Sequence, residues 1–192
     1  MSTTEHTGRP GKYQRSAFGL VVAMITTVVA VVAALWFMGL FRHSTEYKPQ
    51  KVDYLEAVAA AQQGKLAVVY PATLPDGYIA TQARVPSDND GFEIDLLKAD
   101  SDFIGIRTAR TANVAALVHQ EIDANATSIA SYDVPTTVAA PVARTWGGWN
   151  GPGNTGYSAQ VGKLTVLVYG SAPAADLQQV VDLLSTAPRK LT

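Results

Sequence analysis

Residues Ala17 to Phe41 read AFGLVVAMITTVVAVVAALWFMGLF, 25 positions without a charge, a proline or an amide side chain. A helix rising about 1.5 Å per residue would carry this run about 37 Å, enough to cross a ~30 Å hydrocarbon core with some tilt. A buried helix of a soluble domain rarely needs so long a stretch with no polar face. The run therefore reads as a transmembrane helix, and all that follows it as a domain held at a membrane surface. Secretory apolar regions span about 7–15 residues and end in a small-x-small site. This one is longer and closes on Leu35-Trp36-Phe37, so the anchor is expected to stay uncleaved.

Arg9, Lys12 and Arg15 precede the span, whereas Arg42, Lys48 and Lys51 follow it, so the count of flanking positive charge is near a tie. A short basic tail staying inside while a long domain crosses is the usual outcome. The expected topology is single-pass in the plasma membrane, N-terminus cytoplasmic and C-terminal domain extracytoplasmic. Trp36, Phe37 and Phe41 would then form the outer aromatic belt, with Tyr13 and Phe18 on the inner side. Ala30 and Ala34 make a small-xxx-small pair, which alanine-rich spans contain by chance.

Charge divides along the chain. Residues 1–51 carry six Lys/Arg against two Asp/Glu, a net +4, and residues 52–192 carry nine against 14, a net −5. Basic membrane flanks suit anionic headgroups. A mildly acidic domain lacks the basic face that nucleic acid requires, so no nucleic-acid partner is expected. Cysteine is absent, which removes disulfides, thiolate metal sites and cysteine nucleophiles together. The 141 residues after position 51 are ample for one compact domain.

The organisation reads as a disordered tail (1–16), the span (17–41), a polar linker (42–51) and one domain (52–192). In the domain, Asp53-x-x-Glu56 resembles a capping box opening an alanine-rich helix that Gly64 stops. Leu66 to Tyr70 is a short extended segment, and Leu74-Pro75-Asp76-Gly77 is a turn. Strands are expected over Tyr78–Val85, Phe92–Lys98 and Phe103–Ala109, the last two as a hairpin. Thr111 should cap a helix carrying Val114, Leu117, Val118 and Ile122 at helical spacing. Residues 125–141 read as irregular. Val142–Trp149, Tyr157–Gly162 and Leu164–Gly170 form a second strand group, followed by a helix with Leu177, Val180, Val181 and Leu184 on one face. Hairpins imply antiparallel pairing, with helices covering one or both sheet faces. The fold class is α+β.

No chemical motif survives its own context. Gly151-Pro-Gly153-Asn-Thr-Gly156 matches G-x-G-x-x-G, but it leads into a strand rather than opening a helix, so it reads as a hairpin loop. Asp88, Asp90, Glu93, Asp95, Asp100 and Asp102 form the densest acidic patch. Aligned to the calcium-loop template, its first position is Pro86 and its twelfth Leu97, so solvated turn charge is the better reading and a weak cation site the alternative. His119, the domain's one histidine, lies four residues before Asp123, which suits a polar contact along a helix. Asn125-Ala-Thr127 is a formal glycosylation sequon. No metal, cofactor or catalytic set is expected. Trp146, Trp149, Asn150 and Tyr157 are the candidate binding surface, but alternation puts Trp146 and Gly148 on one face and Trp149 on the other, so the plainer reading has one tryptophan anchoring the core while the other lines the loop.

Several stretches resemble the actinobacterial family of the domain of unknown function 4245. They are Val52-Asp53-Tyr54, Leu74-Pro75-Asp76-Gly77-Tyr78, Arg144-Thr145-Trp146 and Leu164-Thr165-Val166-Leu167-Val168-Tyr169-Gly170. Tyr78 stands where relatives often carry tryptophan. The resemblance covers nearly the whole chain and implies a single-pass envelope protein of unknown activity, with no catalytic residues to carry over. More distantly, the order of strands and helices is similar to the antiparallel sandwich of the PsbP and Mog1 proteins. The leading expectation is a non-enzymatic binding module whose partners are envelope proteins or lipids. The alternative is an envelope enzyme or a carrier of a small lipid or sugar.

Overall fold

The computed structural model describes residues 17–40, 49–87, 91–98, 102–111 and 113–190. The chain forms two units, Met1–Tyr47 and Lys48–Thr192. The first contributes α1 (Ala17–Leu40), whose Thr26 and Thr27 hydroxyls donate to the carbonyls of Val22 and Ala23, both at 2.9 Å. Its side chains are described for residues 19–34 and 36, and the apolar ones among them, such as Leu20 and Met24, are exposed. Those 16 consecutive residues cover about 24 Å. Among the described residues no helix is long and apolar enough to cross a membrane. The tail 1–16, most of the linker, Tyr13 and Phe41 lie outside the described residues, as do Asp88, Asp90 and Asp100.

The second unit is an α+β domain. Asp53 caps α2 (Tyr54–Gln63), its Oδ1 accepting from the Leu55 and Glu56 amides at 3.1 and 3.2 Å. The helix ends at Gln63 with Gly64 as its C-cap, as expected, but the left-handed residue is the next one. Gly64 keeps φ at −69° and Lys65 takes the left-handed turn at φ 61°. Lys65 N–H then donates to the Gln62 carbonyl and Leu66 N–H to that of Ala61. These two bonds define a Schellman motif, in which the left-handed position usually belongs to glycine.

The main sheet holds seven strands. In chain order they are β2 (Tyr78–Arg84), β3 (Gly91–Lys98), β4 (Asp102–Ala109), β5 (Thr127–Asp133), β6 (Thr145–Gly151), β7 (Asn154–Val161) and β8 (Leu164–Gly170). Their spatial order is β2-β3-β4-β8-β7-β6-β5, with every pairing antiparallel. A second, two-stranded sheet joins β1 (Tyr70–Pro71) to β9 (Leu184–Ser185). The remaining helices are α3 (Val114–Glu121) and α4 (Ala174–Asp182).

Helices cover both faces. Val58 of α2 and Leu177 and Val180 of α4 pack in one cluster with Val166 and Val168 of β8. Leu117 and Val118 of α3 pack on Leu167 and Tyr169, the intervening residues of that strand. A central strand with both faces covered has no solvent side, so all seven β8 positions are buried.

Four further expectations are corrected. Residues 127–133, read as irregular, form β5. It is an edge strand whose residues are exposed apart from half-buried Tyr132, so no apolar alternation marks it. Asn113 rather than Thr111 caps α3, its Oδ1 accepting from Ala116 N–H at 3.0 Å. Leu184 belongs to β9 and not to the last helix, and residues 142–144 precede β6. The G-x-G-x-x-G segment is the hairpin expected: Gly151 pairs with Asn154, leaving Pro152 and Gly153 as the turn, with Gly153 at φ 79°. Proline followed by a positive-φ glycine is the type II pattern.

Candidate functional site

The four aromatic and polar residues expected as a binding surface do not share one. Trp146 has no solvent exposure, and its Nε1–H donates to the Ala143 carbonyl at 3.2 Å. Tyr157 is buried on the same face, its hydroxyl accepting from Gln178 Nε2 at 2.9 Å. Trp149 is half-buried on the opposite face beside α3, its Nε1–H donating to Ser158 Oγ at 2.7 Å, and Asn150 is exposed. The alternation read from sequence holds. Trp146 is the core tryptophan of the plainer reading, and the correction is that core packing also takes Tyr157, because helices cover the face they point to.

His119 is exposed on α3. Asp123 Oδ1 accepts instead from the Asn125 amide at 2.7 Å, a local Asx turn. Among the described residues no three His, Cys, Asp or Glu side chains converge as a metal site would require.

The acidic patch is not solvated turn charge where it is described. Glu93 and Asp95 alternate with buried Ile94 and Leu96 along β3, which turns them toward α3. There they meet Arg107 of β4, whose side chain is only 12% exposed. Arg107 Nη1 donates to Asp95 Oδ1 at 2.8 Å, and its Nε donates to Glu121 Oε2 at 3.1 Å, with Glu93 Oε1 at 3.8 Å. Glu93 Oε2 accepts no hydrogen bond of good geometry but lies 2.8 Å from Arg84 Nη2 as an ion pair. The Tyr169 ring lies 5.5 Å from the guanidinium carbon. Burial works against the guanidinium charge, but Tyr169, Asp95 and Glu121 outweigh it and raise the Arg107 pKa. Burial, with Glu121 beyond it, pushes the Tyr169 phenol well above its ordinary range, Arg107 opposing. The adjoining cleft measures about 270 Å³. That falls below the ~300–1,000 Å³ usual for ligand sites, and its charged groups are spent on one another. This cluster is a structural ion network.

A larger feature lies at the C-terminal end of α2. An open groove of about 920 Å³ runs between Leu66 and Val68, the β7–β8 turn, and the segment Thr186–Pro188. A second groove of about 650 Å³ shares Leu66 and Arg110 with it and continues along Ala57, Ala61, Ala83 and Phe92. The wall at Thr186–Pro188 is held in place: the Ala187 carbonyl accepts from Tyr70 Oη at 2.9 Å and from Gln62 Nε2 at 3.1 Å. Gln62 Oε1 also accepts from Arg189 N–H at 2.7 Å.

The rim is cationic. Lys65, Arg110 and Lys163 line the first groove and Arg84 the second, and neither lining includes a carboxylate. This stands against a net −5 for residues 52–192. Arg84 is engaged with Glu93, whereas Lys65, Arg110 and Lys163 are exposed and pair with no acid among the described residues. Sequence reasoning missed the groove because its lining comes from the end of α2 and the segment after it, Arg110 just past β4, the β7–β8 turn and residues 186–188. One signal was present: Gly64-Lys65 places a lysine where the left-handed glycine normally stands.

A family model described as "Protein of unknown function (DUF4245)" matches residues 12–184, and the chain belongs to that family. No curated protein and no solved structure matches it.

Proposed function

We propose that this DUF4245 protein is a single-pass membrane protein of an actinobacterial cell envelope, with residues 52–192 outside the cytoplasm as a non-enzymatic binding module. The anchor reading is supported by the 25-residue apolar run, which the family match includes, and by α1 within it. The Thr26 and Thr27 hydroxyls are satisfied inside the helix, as a span in lipid requires. The fold is taken as PsbP/Mog1-like, a reading that one antiparallel sheet between helices supports.

The observation that carries the binding role is the cation-rimmed apolar groove. Grooves of this size with an apolar floor and few convergent polar groups are the usual form of ligand sites. An enzyme reading would draw on the Arg107 cluster, but its acids already neutralise the guanidinium and hold α3 to the sheet.

Three measurements test the proposal. Protease added to intact spheroplasts should digest a C-terminal tag, and a tag protected until lysis reverses the orientation. Crosslinking in native membranes should recover a partner whose yield falls in Arg110→Gln and Lys163→Gln. His119→Ala should leave cellular function unchanged, and loss of function at normal protein level would restore the enzyme reading.

A further inference from the structure

We infer that the groove binds a single anionic amphiphile, an acyl chain carrying a phosphate or carboxylate head, a reading that rests on the binding role proposed above. Three observations lead there. The two grooves share Leu66 and Arg110 in their linings, so two apolar grooves adjoin at these residues. Ala57, Ala61, Ala67 and Ala83 line them, and small side chains leave room for a flexible chain. Three cations line the larger groove, Lys65, Arg110 and Lys163, and Arg110 also lines the smaller one.

Charge decides among occupants. An acidic head beside Lys65, Arg110 and Lys163 has unspent positive charge to meet and no carboxylate in either lining to repel it. A neutral sugar would make no use of that rim, and an all-polar anion would leave the apolar grooves unfilled. The C-terminal carbonyls of α2 end at this place, and their partial negative charge opposes an anion. The Schellman bonds to Lys65 and Leu66 N–H satisfy two of those carbonyls, and the lysine adds a full positive charge over them. A non-glycine residue held at φ 61° is strained, and such strain concentrates at functional positions. Here it falls on the residue that supplies charge to the groove, although a glycine lies directly beside it.

The test uses the full-length chain in a non-ionic detergent. A phosphatidylglycerol with a photoreactive acyl chain is crosslinked to it, in parallel with a phosphatidylcholine bearing the same chain, and the labelled residues are mapped. Label from the anionic lipid is expected over 57–68, 83–85, 161–164 and at Phe92, with far less from the zwitterionic one. Millimolar inorganic phosphate should not compete, because the head alone leaves the grooves empty. Arg110→Gln and Lys163→Gln should each lower labelling about fivefold. Ala67→Glu, at an exposed lining position, should abolish it. Fold is checked in each variant by its urea midpoint, which should not move.

Equal labelling by both lipids would overturn the assignment of the head site. Label confined to residues 17–40 would mean that lipid meets only the anchor, and the inference fails. A crosslinked protein in the groove in place of lipid would sink the ligand class while leaving the binding module standing. An unlabelled groove together with a protease-protected C-terminal tag would overturn both.

Discussion

The Tyr169 hydroxyl donates a 2.6 Å hydrogen bond to Glu121 Oε2, the oxygen that also accepts from Arg107 Nε at 3.1 Å. This pair fastens α3 to the centre of the sheet. Gly105 lies under the ring, where a Cβ would come within 2.6 Å of Tyr169 Cε1, so a glycine on β4 is what lets the phenol reach the helix.

Arg107→Ala is expected to lower stability by about 3–5 kcal/mol, because Glu93, Asp95 and Glu121 would face one another without their shared cation. Tyr169→Phe removes one hydrogen bond to a charged group and should cost less, about 1.5–3 kcal/mol. Urea midpoints give the order. An Arg107→Ala midpoint at or above that of Tyr169→Phe would mean the network is solvated.

Trp146→Ala should cost about 3–5 kcal/mol, the range for truncating a buried aromatic. Trp149→Ala should cost less, since its ring is half-buried and loses mainly the bond to Ser158. Denaturation of the two variants compares them directly, and equal midpoints would contradict the assignment of Trp146 to the core.

The Asp176 carboxyl is held below its ordinary value of 3.8, first by the Tyr78 hydroxyl bonded to Oδ2 at 2.8 Å, against the opposing effect of burial, and then by Lys98. A depressed folded-state pKa stabilises the fold above the ordinary value, and that contribution is lost as pH falls through the folded value. The stability gap between the parent and Tyr78→Phe should therefore be full at neutral pH and shrink below pH 3.8. Urea titrations at several acidic pH values check this, and a gap independent of pH would mean the phenol does not favour the charged carboxylate.

Lys65→Gly should leave stability unchanged or raise it by up to about 1.6 kcal/mol. Relief of the left-handed strain is worth about 1–2 kcal/mol, and the extra freedom of glycine in the unfolded chain takes back about 0.4–1 kcal/mol. A midpoint loss would show that the lysine stem packs on the groove and contributes to the fold.

Local signals in the sequence determined most elements of the domain. The Asp53 cap, the positive-φ glycines at 77 and 153, and the antiparallel hairpins lie where turn chemistry placed them. Period-two alternation assigned Trp146 and Trp149 to opposite faces, because a strand has no other geometry available to it. Tertiary structure decided what those faces meet. β5 hid from sequence because an edge strand buries almost nothing, and Glu93 and Asp95 passed for turn charges because Arg107 and Glu121 approach them only across the sheet and from α3. The groove likewise exists only where the end of α2, the β7–β8 turn and residues 186–188 come together. Capping, turns and alternation act within a few residues of chain, whereas burial and charge pairing depend on segments that only packing brings into contact.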